Sequence, residues 1–196
     1  MPRLILASGS AVRARLLQNA GLTFDVVASS VDENDIKNAQ NDATVEDLAM
    51  ILARAKAAEV AAKYPDALTI GADQILECDG RRFDKPKDRA DAASHLRAFR
   101  GRPHRLITAC VVYRGAEEIW RHTAIPKLSM WAFDDAFIDA YLTEAGDKVL
   151  TSVGAYLLEG LGVHLFERIE GDYFSILGLP LLPLLSFLRL KGLRLA

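Results

Sequence analysis

The sequence predicts an α/β fold, a mixed sheet with flanking helices. Three observations carry that expectation. Short apolar runs of strand length alternate with stretches of helical periodicity. Asp79-Gly80 between two strand-like runs reads as a two-residue hairpin turn, which adds an antiparallel component. No internal repeat, linker or low-complexity tract divides the chain, so residues 1–196 are expected to form a single domain.

The first strand is Leu4 to Ala7, followed by a small polar turn, Ser8-Gly9-Ser10, and a helical pattern from Ala11 to Ala20 that Gly21 stops. Strand, turn and helix start make an anion site, because the first turn of a helix leaves backbone N–H groups unpaired. Ser10 is placed as the N-cap. Arg13 then falls at the third helical position, where a cation opposes the helix dipole by roughly a few tenths of a kcal/mol. A bound anion would reverse that sign; the alternative is that Arg13, like Arg15, points to solvent. Thr23 to Ala28 reads as a second strand leading into an acidic loop, Ser29 to Asp35. Its three carboxylates, Asp32, Glu33 and Asp35, repel one another unless a cation neutralises them, which suits a divalent metal bound with phosphates, or else the loop is a solvated turn. Thr44 caps a long helix, with Asp47 completing a pattern like a capping box and Val45, Leu48, Leu52 and Ala55 on one face. Lys56 lies beside that face, placed either to snorkel to solvent or to reach into a cleft.

Tyr64-Pro65-Asp66 ends the helix, and Ala67 to Ile70 is a buried strand that meets Gly71-Ala72-Asp73-Gln74 and resumes its apolar run at Ile75 and Leu76. A carboxylate in an apolar strand is costly unless paired, so Asp73 calls for a cation: a lysine such as Lys85, a metal ion, or both. A strand-end aspartate paired with an arginine is the plainer alternative. A helix from about Asp88 to Arg100 follows, with Ala92, Leu96 and Phe99 inward and Gly101 as its stop, and His104 is placed in the loop beyond it. Arg105 to Tyr113 reads as a strand, Arg114 to Glu117 as a turn, and Ile119 to Phe133 as one or two strands broken at Pro126. A helix starting at Asp134 or Asp135 ends near Gly146. Val153 to Gly171 looks like strand, turn and strand, and Asp172 to Gly178 connects to a closing helix after Pro180.

The chain has 196 residues, 51% of them hydrophobic, enough for one substantial core. Its 24 Lys+Arg against 26 Asp+Glu leave a formal charge of −2, which argues against bulk affinity for duplex nucleic acid or anionic membranes. Cys78 and Cys110 lie in apolar runs without metal-site spacing and are expected to be reduced core residues of a cytosolic protein. No targeting segment is expected at MPRLILASGS, and the most lipid-like stretch, Ile176 to Leu188, is shorter than the ~20 residues of a membrane span.

The resulting inventory is a helix-start anion site (Ser8, Ser10, Arg13), an acidic loop (Asp32, Glu33), two candidate cleft lysines (Lys56, Lys85) and a buried aspartate (Asp73). Basic groups that hold phosphate, together with carboxylates that hold a metal or activate water, describe phosphoanhydride hydrolysis. No serine-hydrolase elbow or zinc spacing supports another chemistry.

Eight blocks, LILASGSAVRARLL, SVDEND, the Ala55-Lys56-Ala57 helix, IGADQIL, DKP, FRGRPH with Thr108, VGAYLLEGLG and GLPL, resemble the Maf family of nucleoside triphosphate pyrophosphatases in the family's order. The likeness runs from Leu4 to Leu188. It implies a fold similar to the inosine triphosphate pyrophosphatases, with two α/β lobes flanking a nucleotide cleft. It also implies hydrolysis of a nucleoside triphosphate to monophosphate and pyrophosphate, a divalent metal (Mg2+ or Mn2+), a cytoplasmic location and a homodimer. By the same resemblance Asp73 is the general base, Glu33 serves metal and catalysis, Lys56 and Lys85 face the phosphates, and Ser8, Ser10 and Arg13 form the triphosphate-binding turn. Asp73 stands as base, metal ligand, or both. Val12, Gln74 and Glu159 occupy the positions that track substrate choice. Gln74 and Glu159 look like the subgroup acting on 7-methyl-GTP, and a carboxylate at Glu159 can accept from guanine's N1–H and amine. Val12 departs from both the tryptophan of that subgroup and the arginine of the dTTP/UTP subgroup, and Ala11 replaces a usual proline. A broad house-cleaning hydrolase and a nucleotide-binding regulator of septum formation are the competing readings.

Overall fold

The computed structural model describes residues 3–192. In chain order the elements are β1 (Leu4–Leu6), α1 (Ala11–Asn19), β2 (Asp25–Val26), α2 (Glu33–Ala39), α3 (Val45–Ala61), β3 (Leu68–Cys78), β4 (Arg81–Phe83), α4 (Arg89–Phe99), β5 (Pro103–Arg114), β6 (Glu117–Ala124), β7 (Lys127–Met130), α5 (Asp135–Ala145), β8 (Phe166–Glu170), α6 (Tyr173–Ile176) and α7 (Leu181–Leu190). They fall into two compact units. Among the described residues, one holds 3–74, Thr108–Ala124 and 172–192; the other holds Ile75–Ile107 and Ile125–Gly171.

In the first unit β1 pairs in parallel with both β2 and β3, in the register Leu4↔Leu68 and Leu6↔Ile70, and β5 pairs antiparallel with β6. The sheet is therefore mixed, as the sequence predicts. Alternate residues of a strand face opposite sides, and both sides here are apolar. Leu4, Leu6, Leu68, Ile70 and Ala72 pack with Leu16 and Leu17 of α1 and with Leu181, Leu184 and Leu188 of α7. Ile5, Ala7 and Ala67 pack with Val60 of α3 on the other side. Burial on two faces is why β1 and β3 read as unbroken apolar runs. Each buried leucine contributes about 1.5–3 kcal/mol, so the helices flanking β3 are firmly seated.

In the second unit β3 continues into the hairpin with β4. Asp79 (φ 51°) and Gly80 (φ 77°) take the left-handed values of a type I′ turn. β7 pairs antiparallel with β5 and with β8. Ala92, Leu96 and Phe99 of α4 are buried, and Gly101 leaves the helix with φ 68°. His104 lies inside β5, not in a loop, 1% exposed; its Nε2 is 2.8 Å from the Tyr156 hydroxyl, and Phe99 and Phe166 flank the ring. Burial lowers its pKa to about 4.

β3 runs unbroken through Gly71–Gln74 with Asp73 in the middle of the strand, as the sequence reads, because small neighbours and a cationic partner let the carboxylate stay there. Three further expectations are corrected. The second strand shrinks to two exposed residues. The acidic loop is instead the start of α2: the Asp32 carboxylate accepts from the amides of Asn34 and Asp35, and Glu33 and Asp35 in the first turn suit the helix dipole. Val153–Gly171 contains 3₁₀ turns and one strand, β8. Gly154 (φ 83°) and Ala155 (φ 61°) are left-handed and cannot extend into a strand.

Candidate active site

The candidate site is built within the first unit by α1, α2, α3 and the first half of β3. Asp73 is 6% exposed. Gly71, two residues earlier on the same face of β3, lets α3 pack closely: a Cβ there would overlap the Ala53 carbonyl and lie 2.7 Å from the Ala57 Cβ. The buried side of α3 is accordingly Leu48, Ala49, Leu52, Ala53, Ala57, Val60 and Ala61, while Val45 and Ala55 are only half-buried. The close packing brings Lys56 over the strand. Its Nζ lies 2.7 Å from an Asp73 oxygen and 2.7 Å from a Glu33 oxygen, with the lysine side chain 11% exposed. Lys56 therefore reaches inward rather than snorkelling. Thr44 caps α3 as expected, accepting from the Asp47 amide at 3.1 Å while its hydroxyl donates to the Asp47 carboxylate at 2.7 Å.

Burial pushes the Asp73 carboxyl above the usual carboxylate range, and the positive charges of Lys56 and Arg13 pull the other way. The result is a carboxylate that favours proton uptake more than a solvated one, held against an ammonium group. That combination suits a general base. Two carboxylates converging on one cationic position also suit a magnesium-type ion, which uses one or two carboxylates and completes its shell with phosphate oxygens and water. Among the described residues no three His, Cys, Asp or Glu side chains cluster as a metal site of their own.

At the start of α1, Ser10 caps the helix by accepting from the Arg13 amide at 3.4 Å. Ser8 Oγ accepts from the Ser10 amide at 3.3 Å and from Arg13 Nη1 at 3.0 Å. With both acceptor positions filled, the Ser8 hydroxyl proton is left to donate, the polarity an anion needs. Arg13 does not point to solvent. Its Nη1 also donates to the Ala72 carbonyl at 2.9 Å and its Nε to the Gly178 carbonyl at 2.8 Å. Val12, beside it, is half-buried.

Gln74 faces the opposite side of β3 from Asp73. Its amide nitrogen lies 2.8 Å from Thr108 Oγ1, 3.0 Å from the Ser175 carbonyl and 3.1 Å from the Ile176 carbonyl, and Thr108 Oγ1 itself donates to Ser175 at 2.9 Å. Two of those partners are carbonyls that only accept, which fixes the amide's orientation. This anchoring role of Thr108 and Ser175 was not legible from residue patterns; the available signal was a hydroxyl inside the apolar run Leu106–Val112, which must find a partner when buried. Lys85 and Glu159 belong to the second unit. Lys85 is exposed in the stretch between β4 and α4, and Glu159 is exposed in the tight turn where the Gly160 amide bonds Leu157. Cys78 and Cys110 are free thiols in the core, as expected, and burial pushes Cys110 up to about 12 and Cys78 to about 11, so neither is a nucleophile.

The family model described as Maf-like protein matches residues 3–191. The chain belongs to that family. It is 50% identical over 193 residues to a 7-methyl-GTP pyrophosphatase of Rhizobium meliloti (strain 1021), covering 97% of each chain. It is also 50% identical over 193 residues to a nucleoside triphosphate pyrophosphatase of Paramagnetospirillum magneticum, covering 96% of this chain and 98% of the relative. A solved nucleoside-triphosphatase / dITP/XTP pyrophosphatase from Mycobacterium abscessus overlaps it at TM-score 0.36 and 18% identity, over 65% of this chain and 74% of that one, too loose a likeness to carry weight. No helix among the described residues is long and apolar enough to cross a membrane.

Proposed function

We propose that this Maf-like chain is a nucleoside triphosphate pyrophosphatase, hydrolysing its substrate to the monophosphate and pyrophosphate. The observation that carries the reading is the buried Asp73 carboxylate held at 2.7 Å by Lys56, which also reaches Glu33 at 2.7 Å. Asp73 takes a proton from a water molecule, the water oxygen bonds to phosphorus at the anhydride linking the α and β phosphoryl groups, and the anhydride P–O bond breaks to release pyrophosphate. Lys56 offsets charge on the phosphates, and the Ser8 hydroxyl with the amides of the Ser10 turn hold phosphate oxygens. Glu33 and Asp73 would hold a divalent cation such as Mg2+ or Mn2+, which would neutralise phosphate charge. By family resemblance Lys85 is assigned to the phosphates, and Val12, Gln74 and Glu159 to base choice, with 7-methyl-GTP the favoured substrate. A cytoplasmic homodimer belongs to the same proposal.

The test is pyrophosphate release with magnesium or manganese from 7-methyl-GTP, GTP, dTTP, UTP and CTP, alongside Asp73→Asn. Hydrolysis is expected to fall roughly 10²–10⁴-fold in the variant. Preference for dTTP and UTP would reassign Gln74 and Glu159. No release from any nucleotide would favour the second reading, a nucleotide-binding regulator acting through protein partners.

A further inference from the structure

Arg13 is committed to the protein on two of its three nitrogens. Nε donates to the Gly178 carbonyl at 2.8 Å, and Nη1 donates to both Ser8 Oγ at 3.0 Å and the Ala72 carbonyl at 2.9 Å. A guanidinium meets a phosphate bidentately through one of two edges, Nε with Nη2 or Nη1 with Nη2. Here each edge has one nitrogen already engaged, so the fork geometry that makes arginine a preferred phosphate ligand is spent on neutral oxygens of the fold. Those three acceptors are well separated in sequence. Ala72 is the residue before Asp73, Ser8 opens the anion turn, and Gly178 ends the segment following α6. Gly178 adopts φ 97°, and a Cβ there would lie 3.4 Å from Arg13 Nε, so the turn is shaped to meet the guanidinium closely.

We infer that Arg13 is a positioning residue, tying the β3 backbone beside Asp73, the Ser8 hydroxyl and the Gly178 turn into one frame, rather than a group that grips the triphosphate. The inference rests on the pyrophosphatase reading and says how one residue of that site acts. Lysine at this position keeps the charge but cannot span three acceptors lying in different directions. Glutamine loses the charge as well.

The experiment compares Arg13→Lys and Arg13→Gln with the unaltered protein in three measurements: kcat and KM for pyrophosphate release, calorimetric affinity for inorganic triphosphate, and far-UV circular dichroism to confirm folding. The expected result is a similar loss of kcat in both variants, about 100-fold, since misplacement by about 1 Å costs that much. KM and triphosphate affinity are expected to stay within about threefold, the signature of an interaction not made to the bound ground state. A tenfold or greater loss of triphosphate affinity in either folded variant overturns the inference and makes Arg13 a direct ligand. So does Arg13→Lys retaining kcat within about threefold, which would mean that charge alone is needed. Either variant suffices if the other does not fold. Absence of hydrolysis in the unaltered protein would instead sink the pyrophosphatase reading, whereas hydrolysis there with an active Arg13→Lys sinks only this inference.

Discussion

Replacing Gly71 with alanine tests whether the close approach of α3 to β3 builds the site. Gly71 lies in regular strand, so alanine's narrower backbone freedom favours the substitution by about 0.5–1 kcal/mol through the unfolded state. Space opposes it. The new methyl would overlap the Ala53 carbonyl oxygen and lie 2.7 Å from the Ala57 Cβ and 2.9 Å from the Ala57 amide nitrogen. These are atoms fixed by the helix, with no rotamer to escape into, so the cost belongs at the upper end of the ~1–3 kcal/mol range for overpacking. The net expectation is a loss of about 2 kcal/mol, which for a chain of this size lowers Tm by about 4–8 °C. Restoring ordinary contact distances requires α3 to move by about 1 Å. Lys56, between Ala53 and Ala57, moves with it and retreats from Asp73, so kcat falls by about 100-fold. Thermal unfolding followed by circular dichroism and pyrophosphate release on the same preparation read both effects. An unchanged or raised Tm with full activity would refute the reasoning, because the entropic gain would then have outweighed a clash that the packing of α3 makes unavoidable.

Two further outcomes are expected. His104 has a folded pKa of about 4 against an ordinary value of 6.5, so its contribution is complete above pH 6.5 and is lost as pH falls toward 4, up to about 3 kcal/mol. His104→Phe should flatten the pH dependence of urea stability over that window, and an unaltered slope would show that His104 is not its source. Thr108→Val keeps the side-chain shape but removes a partner from Gln74 and Ser175, so stability should drop by about 1–2 kcal/mol in urea denaturation; an unchanged midpoint would mean that the Gln74 anchor needs only its two carbonyls.

Much of the fold was legible because its signals are local. Ser10 and Thr44 cap their helices through contacts within three residues, and Asp79-Gly80 turns a hairpin by its own backbone preference. The segments read wrongly were those where local and tertiary preferences diverge. α2 has too few apolar residues to show a periodic face, and none of its residues is buried, so its cap was the better guide and the acidic composition misled. His104 looked like a loop residue because nothing adjacent reveals that Tyr156, more than fifty positions later, bonds it.

The same division holds for the site. The sequence by itself determined which residue types were present: a carboxylate in an apolar strand that demanded a cation, a capped helix start, and a lysine at the margin of an apolar helical face. It could not choose the cation for Asp73, since pairing depends on which helix crosses the strand and how closely. The tertiary structure made that choice through Gly71, Ala53 and Ala57, which are small enough to bring Lys56 within 2.7 Å of the carboxylate. It also turned Arg13 inward, onto carbonyls contributed by β3 and by the turn at Gly178. Charge and capping act over a few residues and leave a mark in the sequence. The distance between two side chains far apart in the chain is set by how backbones pack, and only the folded protein fixes it.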